Sequence, residues 1–134
     1  MKKKLYFNEK IEVRKSPIHG YGVFAKENIN KNEVLEECLY IVQDKNSYNF
    51  DYLFAFPNKN NQLKYNVLPL GYGCIYNSSK TKNENNAIWK IDTNNNIFIF
   101  KSIKNIKKDK EILIYYGPKW WEHHNQKYLP ENIK

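Results

Sequence analysis

A chain of 134 residues has room for one domain, and 41% hydrophobic with 16% aromatic residues supplies a compact core, which excludes general disorder. Five Gly and five Pro exclude a low-complexity composition. The net charge of +8 invites acidic partners, but Arg14 is the only arginine among 22 basic residues. That argues against bidentate reading of base edges and leaves a weak attraction to polyanions such as nucleic acid.

In chain order, residues 1–10 read as a frayed N-terminal extension. Met1-Lys2-Lys3-Lys4 carries the charge of a signal-peptide n-region, but Asn8, Glu9 and Lys10 stand where an apolar h-region is needed. Ile11 and Val13 alternate with charged residues and predict a short strand into the turn Ser16-Pro17-Ile18-His19-Gly20. Gly20-Tyr21-Gly22-Val23-Phe24-Ala25 mixes backbone freedom with small apolar side chains, which fits a chain passing close to another backbone or a ligand. A strand is expected over residues 33–42. Tyr48, Phe50, Tyr52, Phe54 and Phe56 fall at every second position, the period of a strand with one aromatic face.

After a polar loop at 58–62, residues 67–70 lead into a tight stretch, 71–79, expected to be a short helical turn. Residues 80–85 hold no apolar side chain and predict an exposed loop. Residues 87–91 and 97–103, joined by the turn 92–96, read as a β-hairpin. A basic turn at 104–109 precedes the last strand, whose apolar run 112–116 stops at Gly117-Pro118. The tail from Pro118 is expected to begin as a short helix. Tyr116 is thus held at a strand end, with Trp120 and Trp121 behind it on a turn. That layout suits an aromatic site or the capped edge of a β core equally. Many short strands and hardly any helix predict one mostly-β domain.

Cys38 and Cys74 are far apart and form no Cys-x-x-Cys pair, so neither a zinc cluster nor a disulfide framework is expected. His123-His124 is an adjacent pair whose rings point apart on regular structure, and no metal is expected there. No apolar run is long enough to span a membrane, and the chain reads as soluble and intracellular.

Four segments, in this order, resemble the SET-domain protein lysine methyltransferases, with the greatest likeness to small stand-alone viral and bacterial members of the chlorella-virus type. Residues 20–25 look like the family's first Gly-x-Gly segment, and Asp51-Tyr52-Leu53-Phe54 resembles a middle segment of the small members. Residues 70–79 with Asn86-Ala87 look like the Asn-His-Ser … Pro-Asn-Ala motif. Residues 111–117 resemble the Gly-Glu-Glu-(Leu/Ile)-x-x-x-Tyr-Gly ending, and Trp120-Trp121 sits where the small members carry an aromatic pair. The resemblance implies small β-sheets around a C-terminal pseudoknot, a β-clip type of fold with few short helices. It divides the chain into an extension at 1–10, a SET domain at 11–117 and a closing segment at 118–134. A bottom-up reading rejects threaded connections by default, so the pseudoknot comes from the resemblance alone.

The implied donor is S-adenosylmethionine and the implied acceptor a lysine of a protein substrate, histone or another host protein. Lysine has a reference pKa near 10.4, so losing its proton at about pH 8 costs roughly 3 kcal/mol. A narrow aromatic channel and a nearby sulfonium both disfavour the ammonium, and ring faces hold the cation on entry. By position in the motifs, Tyr116 matches the catalytic tyrosine that orients the amine. His19, Gly20 and Tyr21 match the backbone that holds the methionine end of the donor, and Asn77 and Ser78 match the Asn-His pair. Trp120 and Trp121 are candidates for packing on the adenine. Tyr52 and Trp89 are candidates for the substrate channel, as is Tyr21, whose ring matches an aromatic position beside it. Ile114 stands where the family often has Phe or Tyr, which implies a roomier channel.

Each candidate has a plain structural alternative. Tyr116 can cap a strand, Tyr52 can pack on an aromatic face, residues 19–21 can be a simple turn, and the two tryptophans can plug the core. Two departures from the family pattern stand out. Ser78 replaces the usual histidine in a loop about three residues longer than usual, and Asp109 replaces the glycine of the final turn. They keep open a catalytically weak SET-like module that binds donor or peptide, while charge alone suggests a small basic nucleic-acid binder. The small relatives also imply a homodimer, and a viral origin would add the host nucleus to the cytoplasm as a location.

Overall fold

The computed structural model describes residues 4–43, 54–57, 63–92 and 94–115. The described strands are β1 (Ile11–Lys15), β2 (Tyr21–Ala25), β3 (Val34–Cys38), β4 (Tyr40–Gln43), β5 (Phe54–Pro57), β6 (Leu63–Pro69), β7 (Asn77–Ser78), β8 (Ala87–Asp92), β9 (Ile97–Ser102) and β10 (Glu111–Ile114). They form three small sheets, ordered β1-β2-β10-β7, β3-β9-β8 and β4-β6-β5. The mostly-β expectation holds. The helical content among the described residues is a single 3-10 turn at Lys82–Glu84.

The expected hairpin is the best-formed element. β8 and β9 pair antiparallel from Ala87↔Ser102 to Asp92↔Ile97. Asp92 makes the turn, its Oδ1 accepting from the Asn94 and Asn95 N–H groups, while Asn96 takes the left-handed conformation (φ 55) that Asn tolerates. Phe98 and Phe100 point from β9 into the core. Tyr76 stacks on Phe100 at 4.3 Å between ring centres, and Trp89 stacks on Phe98 at 5.1 Å.

Several expectations need correction. The strand expected over 33–42 is two strands in different sheets. Leu39 lies between them, 47% exposed, and its carbonyl accepts the Leu70 N–H, so the chain changes sheet there. Residues 63–69, of which 67–69 are expected only as a lead-in, form β6, the centre of the third sheet. The stretch 71–79 is a turn at 71–75 and then strand β7, not a helical turn throughout. Within 80–85, Asn85 is buried, its amide donating to the Ala87 carbonyl. Of the aromatic alternation, only Phe54 and Phe56 lie in described residues, on β5; Tyr48, Phe50 and Tyr52 lie outside them.

The N-terminal extension is tied down from Tyr6 onward rather than frayed. Asn8 is 3% exposed, and its amide donates to the Val34 carbonyl and to Glu33, while Phe7 bridges to Glu36. Sequence reading missed this because Asn8 acts through a single buried side chain, with no periodicity to announce it.

β10 runs down the middle of the first sheet. Ile112 and Ile114 are 0% exposed and fill the core, while Glu111 and Leu113 face the other way. Its first half pairs antiparallel with β2 (Glu111↔Phe24, Ile112↔Val23) and its second half pairs parallel with β7 (Leu113↔Asn77, Ile114↔Ser78). The turn before β10 has Asp109 in the left-handed region (φ 71), and its carboxylate is met by Arg14 Nη1 at 3.0 Å. Asp is one of the few non-glycine residues that accept this conformation, so the departure from glycine is accommodated.

On β3, against the turn at 71–75, lies a buried carboxylate. Glu36 Oε1 accepts from the Tyr76 hydroxyl at 2.8 Å, and Oε2 accepts from the Tyr72 N–H at 3.3 Å. Burial pushes the Glu36 carboxyl above its ordinary value of 4.5, against the lowering effect of those bonds and of Cys38. Burial also pushes the Cys74 thiol up to about 11, and raises Cys38 further with help from the Glu36 charge. Among the described residues neither Cys38 nor Cys74 is in a disulfide. A carboxyl raised in the folded state stabilises the protein below its unfolded pKa, and that contribution is lost as pH rises through the folded value. The wild type is therefore expected to lose stability relative to Glu36→Gln as pH rises from 4.5. Urea unfolding of both proteins between about pH 4 and pH 8 checks this, and parallel pH profiles would refute it.

Candidate active site

The site is assembled where the loop between β1 and β2, strand β7 and the start of β10 meet. Asn77 is 6% exposed, and its Nδ2 reaches the His19 carbonyl (3.1 Å), the Tyr21 carbonyl (3.1 Å) and Glu111 Oε2 (2.8 Å). Two segments far from β7 in sequence thus converge on one amide. Glu111 Oε1 accepts from Ser16 Oγ at 2.7 Å, which ties the start of the loop to the same carboxylate.

Gly22 has a clear steric reason. A Cβ there would collide with the Glu111 carboxylate and come within 2.9 Å of Asn77 Nδ2. Gly20 differs: it has φ 49 and nothing within 4 Å of a built Cβ, so its need is backbone conformation beside open space. His19, Gly20 and Tyr21 are exposed, with Tyr21 at 59% although the rest of β2 is buried. The loop therefore leaves His19, Gly20 and Tyr21 exposed while their carbonyls are held from within, His19 and Tyr21 by Asn77 Nδ2 and Gly20 by the Ser16 N–H.

Ser78 is buried, pairs with Ile114 in register, and donates its hydroxyl to the Ser79 carbonyl at 2.7 Å. Both ends of the loop after it are bonded to β10. The Ser79 N–H donates to the Ile114 carbonyl at 2.7 Å. Asn86 meets β10 three times, Nδ2 to the Glu111 carbonyl, Oδ1 from the Leu113 N–H, and its own N–H to the Leu113 carbonyl. An asparagine side chain here does the work of a neighbouring strand. This is the contact pattern expected where a C-terminal strand runs beneath that loop.

Of the candidate residues, the fold brings together His19, Gly20, Tyr21, Asn77 and Ser78. Trp89 sits in the β3-β9-β8 sheet, half-buried on Phe98, and Ile114 is packed in the core. Tyr52, Tyr116, Trp120 and Trp121 lie outside the described residues, as do His123 and His124. Tyr115, the last described residue, directly follows β10. Ser16 and Asn86 are bonded to β10 beside these residues, and sequence reading did not single them out as site residues. Ser16 was visible only as a turn residue, and Asn86 only as part of a motif.

A fold of small sheets with a Gly-x-Gly strand, an Asn-Ser strand and a closing strand joined through one amide defines a SET domain. The SET domain family model matches residues 20–117, and the chain belongs to that family. It is 38% identical to a Plasmodium falciparum protein solved as a candidate histone methyltransferase, over 86% of this chain and 99% of that one, with a TM-score of 0.65. It is 27% identical over 114 residues to the H3 lysine-37-specific histone-lysine N-methyltransferase of Schizosaccharomyces pombe, covering 83% of this chain and 76% of that protein. The methyltransferase domain of human PR domain-containing protein 2 shares the fold, with a TM-score of 0.60 at 17% identity over 83% of this chain and 79% of that one. The chain is a protein-lysine methyltransferase of the SET type, related to the histone-lysine methyltransferases.

Gly22→Ala is expected to cost about 1–3 kcal/mol, because the new methyl displaces the Glu111 carboxylate from a closed site. Chemical denaturation measures the loss, and a variant as stable as wild type would contradict the clash.

Proposed function

We propose that the enzyme transfers methyl groups from S-adenosylmethionine to the ε-amine of a lysine in a protein substrate, and that its donor lies against residues 19–21 and 77–78. The observation that carries this reading is the Asn77 amide, which fastens the His19 and Tyr21 carbonyls to the strand that leads to Tyr116. The fit of the donor is supported by the open space beside Gly20 and by the exposure of His19, Gly20 and Tyr21 above carbonyls fixed in place by Asn77 and Ser16. Bound S-adenosylmethionine supplies a methyl group on a positively charged sulfur. Backbone groups at 19–21 hold its methionine end, and Trp120 and Trp121 pack on its adenine.

Tyr116 orients the incoming amine, and Tyr52 and Trp89 line the path of the lysine chain. An aromatic, water-poor channel lowers the cost of deprotonating the amine and aligns it for attack. Ser78 in place of the usual histidine is compatible with turnover, because β7 keeps its backbone pairing with Ile114 and the hydroxyl is satisfied locally. Residues 118–134 close the site, as in the small stand-alone members of the family. The names of the Plasmodium and fission-yeast relatives make a histone tail the first substrate to try.

Calorimetry with S-adenosylmethionine is expected to give saturable heat. Labelled donor with histone H3 or with cell extract is expected to give methyl-lysine by mass spectrometry. Tyr116→Phe should lower the rate about a hundredfold while donor binding is retained. An unchanged rate in that variant would sink the assignment of Tyr116, and absence of donor binding by the wild type would sink the whole reading.

A further inference from the structure

Glu111 is held in a ring of hydrogen bonds whose two arms both end by donating to its carboxylate. The Ile18 N–H (3.0 Å) and the His19 N–H (3.4 Å) both point at Ser16 Oγ. With its lone pairs taken up, that hydroxyl has its proton left to give, and it gives it to Glu111 Oε1. On the other side Asn77 Nδ2 donates to Glu111 Oε2 and shares its two protons with the His19 and Tyr21 carbonyls. Turning the Asn77 amide over would set its oxygen against three acceptors, so its orientation is fixed. Glu111 therefore faces donors on both oxygens, and the ring closes from the loop, through the carboxylate and the amide, back to the same loop.

We propose that Glu111 is a positioning residue for the donor: its two acceptor oxygens, acting through Ser16 and Asn77, set the direction in which the 16–21 backbone offers its polar groups. This rests on the reading that residues 19–21 hold the donor. A carboxylate meets the requirement because it accepts at both oxygens and donates at neither. Gln at the same position keeps size and shape but must aim an N–H₂ group at Ser16 or at Asn77. At Ser16 it meets an oxygen already accepting from two N–H groups. At Asn77 it meets another N–H₂ group. In either case one contact turns repulsive, and the loop is released from one side. Gly22 belongs to the same device, since only a hydrogen in place of Cβ leaves room for the carboxylate.

The test is amide hydrogen exchange in the full chain without donor, together with calorimetric affinity for S-adenosylmethionine. Glu111→Gln is expected to speed exchange at Ile18 and His19 at least about tenfold while the β8–β9 amides keep their wild-type rates, and to weaken donor binding by about the same factor. Ser16→Ala should do likewise, and Ser16→Thr, which keeps the hydroxyl, should recover most of both losses. Wild-type exchange at Ile18 and His19 in Glu111→Gln would overturn the proposal. So would faster exchange spread evenly over β8–β9, which is the mark of general destabilisation. Loosened exchange with unchanged donor affinity would also overturn it, because the ring would then not reach the donor. Should the wild type bind no donor, the functional reading fails, and the exchange rates still decide whether the carboxylate orders the loop.

Discussion

The site depends on β10 finding hydrogen-bond partners along a flank where the neighbouring strand is only two residues long. β7 offers Asn77 and Ser78 and then ends. Ser79 extends the pairing by one bond, and Asn86, returning from the far side of the loop, supplies the rest with its main chain and its amide. A buried strand with unpaired polar groups would lose about 1–3 kcal/mol for each group left unsatisfied. Strand β10 carries Ile112 and Ile114 into the core, so it cannot shift toward solvent to avoid that cost. The Asn86 contacts, with the pairing to β2 on the other flank, thus fix where Glu111 lies, and Glu111 in turn is bonded to Ser16 and Asn77, which hold the loop at 16–21.

A second polar group, Glu36, works on the opposite principle. Its charge is disfavoured by burial, whereas Glu33 nearby is lowered below its ordinary value, because bonds from the Asn30 N–H, Asn8 and Lys10 outweigh its smaller desolvation. Glu36 joins the N-terminal extension, the 71–75 turn and Tyr76 at one point, immediately before the Asn77 strand. Gly71 is left-handed at φ 73, and a Cβ on it would come within 2.9 Å of that carboxylate. The buried acid therefore shapes the approach to the site without belonging to it.

Much of the fold was readable where a local pattern was strong. The hairpin 87–103 announced itself by β-rich runs around a turn of Asp92 and three asparagines, and β10 by an apolar run ending at Gly-Pro. β6 was not readable, because its Pro and Asn weaken the strand signal and its pairing on both sides is non-local. The break at Leu39 was hidden for the same reason: a change of sheet leaves no mark in composition. For the site, the ordered motifs identified His19, Gly20, Tyr21, Asn77 and Ser78 as neighbours. They said nothing of Ser16 or of the direction of the hydrogen bonds, since polarity appears only when donors and acceptors are placed in space.

The loop between Ser79 and Asn86 is anchored at both ends to β10, with residues 80, 81, 83 and 84 at the surface between the anchors. Extra length there bulges into solvent and transmits no displacement to the strands on either side, and loop entropy grows only slowly with added residues. That makes the segment a natural point of evolutionary drift: it can lengthen, shorten or acquire a new contact while the machinery below keeps its geometry.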